Sequence, residues 1–202
     1  MQFRIIILFT VMLITMDCFS QDQKESNVTD VSKVTIINPG VSYEKAIGRN
    51  QTLYGQLFMN TSAEFNYSST LGSSSTFYFD PAVTVQYRYY YNALKRQEKE
   101  KRTEMNSLNY LTAVFEAVFS RRPFSTSHPV EDHRRSMNRI GLAWGLQRNY
   151  NSRLSFDLNL GPGLLFTKAT YIDYRGQTTT SNEGSFTLLG QINLGFWLNR
   201  RM

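Results

Sequence analysis

Residues 76–92 read TFYFDPAVTVQYRYYYN. Every second position from Phe77 gives Phe77, Phe79, Pro81, Val83, Val85, Tyr87, Tyr89 and Tyr91. The positions between give Tyr78, Asp80, Ala82, Thr84, Gln86, Arg88 and Tyr90. One row is apolar and aromatic; the other is mostly polar and carries an acid and a base. Period two is the signature of a strand, whose successive side chains leave opposite faces. A soluble sandwich would turn Asp80 and Arg88 to water. A barrel in a bilayer would turn the apolar row to lipid.

The pattern recurs along the chain. Leu53, Leu57, Met59 and Phe65 alternate with Tyr54, Gln56, Asn60 and Glu64. Leu111, Phe115 and Phe119 alternate with Tyr110, Thr112 and Glu116. Ile140, Leu142, Trp144 and Leu146 alternate with Gly141, Ala143, Gly145 and Gln147. Segments 154–167 and 185–198 repeat it, with leucine and phenylalanine against Asp157, Asn159, Gly161, Gly163, Gln191 and Asn193. Strands of globular proteins average five or six residues. These alternate over a dozen or so, as crossing a bilayer at a tilt requires. The polar rows place Glu44, Glu64, Asp80, Arg88, Glu116 and Asp157 near strand middles, beside glycines. Large side chains opposite small ones fill a narrow barrel, and charge is tolerated there only when paired. These six residues are therefore expected to form an ion-pair network in the lumen, not an ion path.

The connections alternate too. Gly48–Gln51 and Asn149–Ser152 are tight, whereas 71–75, 121–136 and 170–184 are longer polar links. Short turns on one side and long loops on the other is the outer-membrane pattern. The charged stretch 93–106 breaks it, and is expected to be a solvated linker or a short helix. Clear strands lie at 52–69, 76–92, 107–120, 137–149, 153–169 and 184–198. An even count requires 33–47 to form a short hairpin about Pro39-Gly40; one kinked strand would leave seven. At Pro81, which has no N–H, a bulge or an unpaired ladder position is expected.

The N-terminus, MQFRIIILFTVMLITMDCFSQ, sets a basic residue before an apolar run and small residues before Gln21. It reads as a cleaved signal over residues 1–20, followed by a flexible leader at 21–32 and a barrel domain at 33–199. Cys18 is the only cysteine, so the mature chain is expected to carry no disulfide. The net charge of +6 comes without a nucleic-acid motif, and no nucleic-acid partner is expected.

The stretch Tyr43-Glu44-Lys45-Ala46-Ile47 before a short turn, followed later by YRYYYNALKRQEKEKR, resembles the small outer-membrane β-barrel proteins of Gram-negative bacteria. The resemblance covers most of residues 33–198. It implies an all-β, eight-stranded, antiparallel up-and-down transmembrane barrel in the bacterial outer membrane, and little about activity. The chain departs from the family at its end, where Phe196-Trp197-Leu198 is followed by four more residues.

The functional expectation is a structural or surface-interaction protein with a filled lumen. It is expected to be monomeric, without cofactor or metal, contacting outer-membrane lipids. Arg121, Arg122, Arg134 and Arg135 frame the 121–136 loop where lipopolysaccharide phosphates would lie, and guanidinium groups pair phosphate bidentately. The alternatives are a lipid A acyl-modifying enzyme and a narrow pore. The enzyme would use Ser125, Ser127, His128, Glu131, Asp132 and His133 of that loop. A soluble lipocalin-like barrel is disfavoured, because its 154–166 apolar row would have no partner.

Overall fold

The computed structural model describes residues 27–68, 72–121, 134–172, 175 and 177–199, without the side chains of 62–68, 72–78, 172 and 178. Eight strands run through them: β1 Val31–Ile37, β2 Gly40–Gly48, β3 Gln51–Ser68, β4 Gly72–Tyr90, β5 Asn109–Ser120, β6 Arg135–Asn149, β7 Leu154–Ile172 and β8 Thr178–Trp197. Each pairs antiparallel with the next, and β8 pairs with β1, so one sheet closes in a ring. The short hairpin required by parity is present. It turns at Asn38-Pro39, where Asn38 adopts a left-handed φ of 52°.

The register fixes the shape of the ring. Paired residues lead from Thr35 through Gly40, Phe58, Ala82, Val118, Met137 and Thr167 to Glu183. Yet β8 meets Thr35 at Gly195. The ring thus closes with a stagger of the twelve residues from Glu183 to Gly195. For eight strands this tilts them by about 45° and sets a radius of about 9 Å, an interior that side chains can fill.

Wherever side chains are described, the two rows read from the sequence face as expected. Tyr54, Gln56, Arg88, Tyr110, Gln147 and Asp157 are buried inside, and Leu57, Phe79, Leu142, Leu164 and Ile192 are exposed outside. Glycine makes room for the large inward residues. A Cβ on Gly145 would lie 2.3 Å from the Tyr110 ring, and one on Gly141 or Gly163 would lie 2.8 Å from Leu189.

Four expectations need correction. The links at 71–75 and 170–184 are largely strand, because β4 begins at Gly72 and β7 and β8 run on to Ile172 and from Thr178. There the β3–β4 and β7–β8 hairpins rise beyond their outer neighbours as two-stranded ribbons. A ribbon held by its own ladder needs no apolar row, so polar sequence did not betray it. At Pro81 the second of the two expected outcomes is found: there is no bulge, since the register runs unbroken through Met59↔Pro81, but the position is unpaired towards β5, whose ladder starts one residue later at Ala82.

The other two corrections concern the end of the ring that carries the tight turns, called here the near end. The leader does not stay outside the fold from Asn27 onward. Val28 is buried against Tyr90, Ala93, Leu108 and Tyr110, and β1 begins at Val31. Of the two readings of residues 93–106, the structure has the short helix, and the solvated linker is the one corrected. A short helix α1, Ala93–Gln97, and a 3₁₀ turn, Glu104–Asn106, bring Ala93, Asn106 and Leu108 under the ring. Asn106 clasps Thr29 through both backbone groups, at 2.8 Å each. Together these segments lid the near end.

Candidate functional site

The interior is layered, and the layers follow from which inward residues the register brings level. Nearest the lid is a charged layer centred on Arg88, which is fully buried. Its guanidinium lies between the rings of Tyr54 and Tyr110, at 3.8 and 4.4 Å from their centroids. Nη1 donates to Asp157 Oδ2 at 2.8 Å and Gln147 Oε1 at 2.9 Å, and Nε donates to Gln86 Oε1 at 2.9 Å. Glu44 lies 3.9 Å away and accepts from Tyr90 Oη (2.5 Å) and Thr52 Oγ1 (2.7 Å). Tyr110 donates to Asp157 at 2.6 Å. Lys33 completes the set, 3.8 Å from Asp157 and donating to Gln147 at 2.6 Å. Two cations and two carboxylates balance, and buried charge persists only in such paired, hydrogen-bonded company.

Above this lies an amide layer. Gln191 donates to Gln56 at 2.9 Å, Gln86 donates to Gln191 at 3.2 Å, and Asn193 donates to Gln56 at 3.3 Å. It joins β3, β4 and β8 across the interior. Higher still is an apolar layer, with Val114, Ala143 and Leu189 on one side and Phe58, Ala82, Val118 and Met137 on the other. Near its upper edge Arg139 donates to Glu116 at 2.6 Å, and Ser120 donates to Asp80 at 2.6 Å.

Of the six inward charges singled out by sequence, the structure brings Glu44, Arg88 and Asp157 into one cluster. Glu116 belongs to a second pair, with Arg139. Asp80 has a hydroxyl partner, not a cation, among the described contacts. Glu64 is placed on β3 opposite Thr76, with its side chain outside the described set. Sequence reasoning missed Lys33 and Arg139. Parity places Lys33 and Arg139 on inward rows, a signal that was available. Gln147 was read as inward by alternation, but nothing in the sequence marks its role as the bridge between Lys33, Arg88 and Glu44.

Outside, a row of aromatic side chains follows the near end. Tyr87, Tyr89, Tyr91 and Trp144 are 41–47 % exposed, and Trp144 Nε1 donates to Tyr91 Oη at 2.8 Å. At the far end Arg121 and Arg134 are exposed at the two roots of their loop. Arg135 is half-buried and donates to the Lys168 carbonyl. Arg122 lies outside the described residues, as do Ser125, Ser127, His128, Glu131, Asp132 and His133. Among the described residues no group of three His, Cys, Asp or Glu side chains is placed to hold a metal, and no helix is long and apolar enough to cross a membrane. No protein-family model matches the chain, and no curated protein or solved structure is found to be similar to it.

Proposed function

We propose that this chain is an eight-stranded up-and-down barrel of a bacterial outer membrane, its lumen filled by its own side chains, with a structural or surface-interaction role. One observation carries the reading. A belt of large apolar side chains stands outward on all eight strands, including Ile36, Val41, Leu57, Phe79, Phe115, Leu142, Leu164 and Leu188, each at least 41 % exposed. Among the described outward positions the strand charges, Lys45, Arg148 and Lys168, lie at the ends of that belt. In water such a belt would be a very large sticky surface; against acyl chains it is the required one. The aromatic row at its near edge fits a membrane interface.

The charged layer favours a plug over a pore, since its two cations and two carboxylates balance one another across the ring. Arg121 and Arg134, exposed at the far rim, support contact with lipid phosphates. The test is fractionation with a gel shift. The folded protein should stay with carbonate-washed outer membranes and migrate differently before and after boiling. Release by carbonate with a single gel position would sink the proposal, and sustained conductance in a planar bilayer would overturn the filled lumen.

A further inference from the structure

The wall of the ring is not equally tall all round. At a 45° tilt each strand residue rises about 2.3 Å along the axis. The seven and nine residues of β1 and β2 therefore stand about 16 and 21 Å tall, while the twelve of β5 reach about 28 Å. Pairing of β2 with β3 stops at Gly40↔Phe58, and that of β1 with β8 stops at Ile37↔Leu194. The last ties are Met59 N–H to Pro39 O at 2.8 Å and Asn38 Nδ2 to Ile192 O at 3.1 Å. Beyond them, among the described residues, β3 pairs only with β4 and β8 only with β7. The two edges are separated by the width that two strands leave, about 14 Å.

This gap falls at membrane depth if the chain spans a membrane, and the inference rests on that reading. An apolar band of about 25 Å that starts at the near rim ends above the Asn38-Pro39 tip. The belt itself runs on past the tip along β8, where Leu188 and Phe186 are 70 % and 92 % exposed. Bare sheet edges do not face hydrocarbon, because their N–H and C=O groups would go unpaired. The occupant therefore needs hydrogen-bonding groups as well as an apolar part.

What lies behind the gap fits the same description. Phe58 and Leu189 are at its inner margins and give it an apolar floor, with Leu189 packed against Gly141 and Gly163. The Glu116–Arg139 pair stands on β5 and β6, four strands away and so across the ring. The Gln56–Gln191–Asn193 amides close the interior below. We infer that the gap between β3 and β8 is a lateral portal through which an amphiphile of the outer leaflet reaches the upper interior. Its tail lies along Leu188 and Phe186, and its polar head meets the two strand edges and the Glu116–Arg139 pair.

Cys18 is the only cysteine, so a Cys18→Ser background allows single-site labelling. Bimane would be attached at Thr187→Cys (inward, beside the gap), Thr112→Cys (inward, below the amide layer) or Leu142→Cys (outward). The protein is then reconstituted in phosphatidylcholine vesicles whose acyl chains carry a nitroxide quencher. Quenching at Thr187 should be at least threefold that at Thr112 and at least half that at Leu142. Equal quenching at Thr187 and Thr112, with Leu142 quenched, overturns the portal and leaves the membrane reading standing. No quenching at Leu142 removes the membrane reading and the portal with it. The charge-neutral pair Glu116→Gln/Arg139→Gln should at least halve quenching at Thr187; an unchanged value overturns the head-group contact.

Discussion

Replacing Arg88 by methionine is the sharpest probe of the charged layer. Methionine keeps much of the stem that packs between Tyr54 and Tyr110 and deletes the charge. It also deletes hydrogen bonds to Asp157, Gln147 and Gln86. Lys33 then faces both Glu44 and Asp157, so the buried cluster passes from neutral to a net charge of −1. Breaking a buried pair by removing one partner typically costs about 3–5 kcal/mol, because the other charge is stranded. Arg88→Met should therefore lower the unfolding free energy by about that much. The companion Glu44→Gln restores neutrality while its side-chain oxygen still accepts from Tyr90 or Thr52. If stranded charge is the cause, the double variant recovers at least half of the loss, which a double-mutant cycle isolates. The assay is urea unfolding of refolded protein in detergent micelles, followed by tryptophan fluorescence and by the boiling-dependent gel shift. A double variant as unstable as the sum of the two singles would refute the reasoning, as would an Arg88→Met cost below about 1 kcal/mol.

Three further outcomes are expected. Gly145→Ala drives a methyl into the Tyr110 ring and strains its bond to Asp157; overpacking plus a weakened charged hydrogen bond predicts a loss of about 2–4 kcal/mol by urea unfolding, and Gly55→Ala, with open space around it, should be nearly silent. Burial pushes the Asp30 carboxyl upward, but bonds from Lys45, the Ala46 N–H and Tyr43 outweigh it and hold its pKa below the ordinary 3.8; with the folded value the lower one, its stabilisation is present above the ordinary value and lost as pH falls through the folded value, so the protection of amides 27–30 relative to their intrinsic exchange rates should fall only under that acid condition, and Asp30→Asn should abolish this pH dependence of protection. Leu142→Arg, mid-belt and 68 % exposed, should cost about 2–4 kcal/mol in lipid vesicles, and Asn138→Arg near the rim no more than about 1 kcal/mol; equal costs at both depths would contradict a bilayer around the belt.

Much of the architecture was legible because alternation is a local property. Each inward or outward assignment needed only parity along one strand, and tight turns such as Gly48–Gln51 fixed where parity restarts. Even the short first hairpin followed from the need for an even count. Pairing across the ring was not legible. Glu44, Glu64, Glu116 and Asp157 looked equivalent as partners for Arg88, and only the twelve-residue stagger decides that Asp157 lies beside it while Glu116 meets Arg139. That stagger is a sum over all eight registers, so one strand's sequence cannot reveal it. The near-end lid escaped for a different reason. Val28 and Leu108 are single apolar residues in polar company, and their burial depends on a surface made by Tyr90 and Tyr110.

The seam between β1 and β8 has consequences for how the ring comes together in time. Seven of the eight ladders join strands that follow one another in the chain, each a hairpin that can zip from its own turn. The eighth has four rungs, flanked by Asn38 Nδ2 to Ile192 O, by Leu198 N–H to Ser32 O and by Asn199, which accepts from Ser32 N–H and donates to the Asp30 carbonyl across more than 160 residues of sequence. Loop-closure entropy is therefore concentrated in one late event, secured by the shortest ladder. By the same count that seam is where an advancing denaturant or a pulling force should first part the sheet, turning a cylinder back into a ribbon of hairpins.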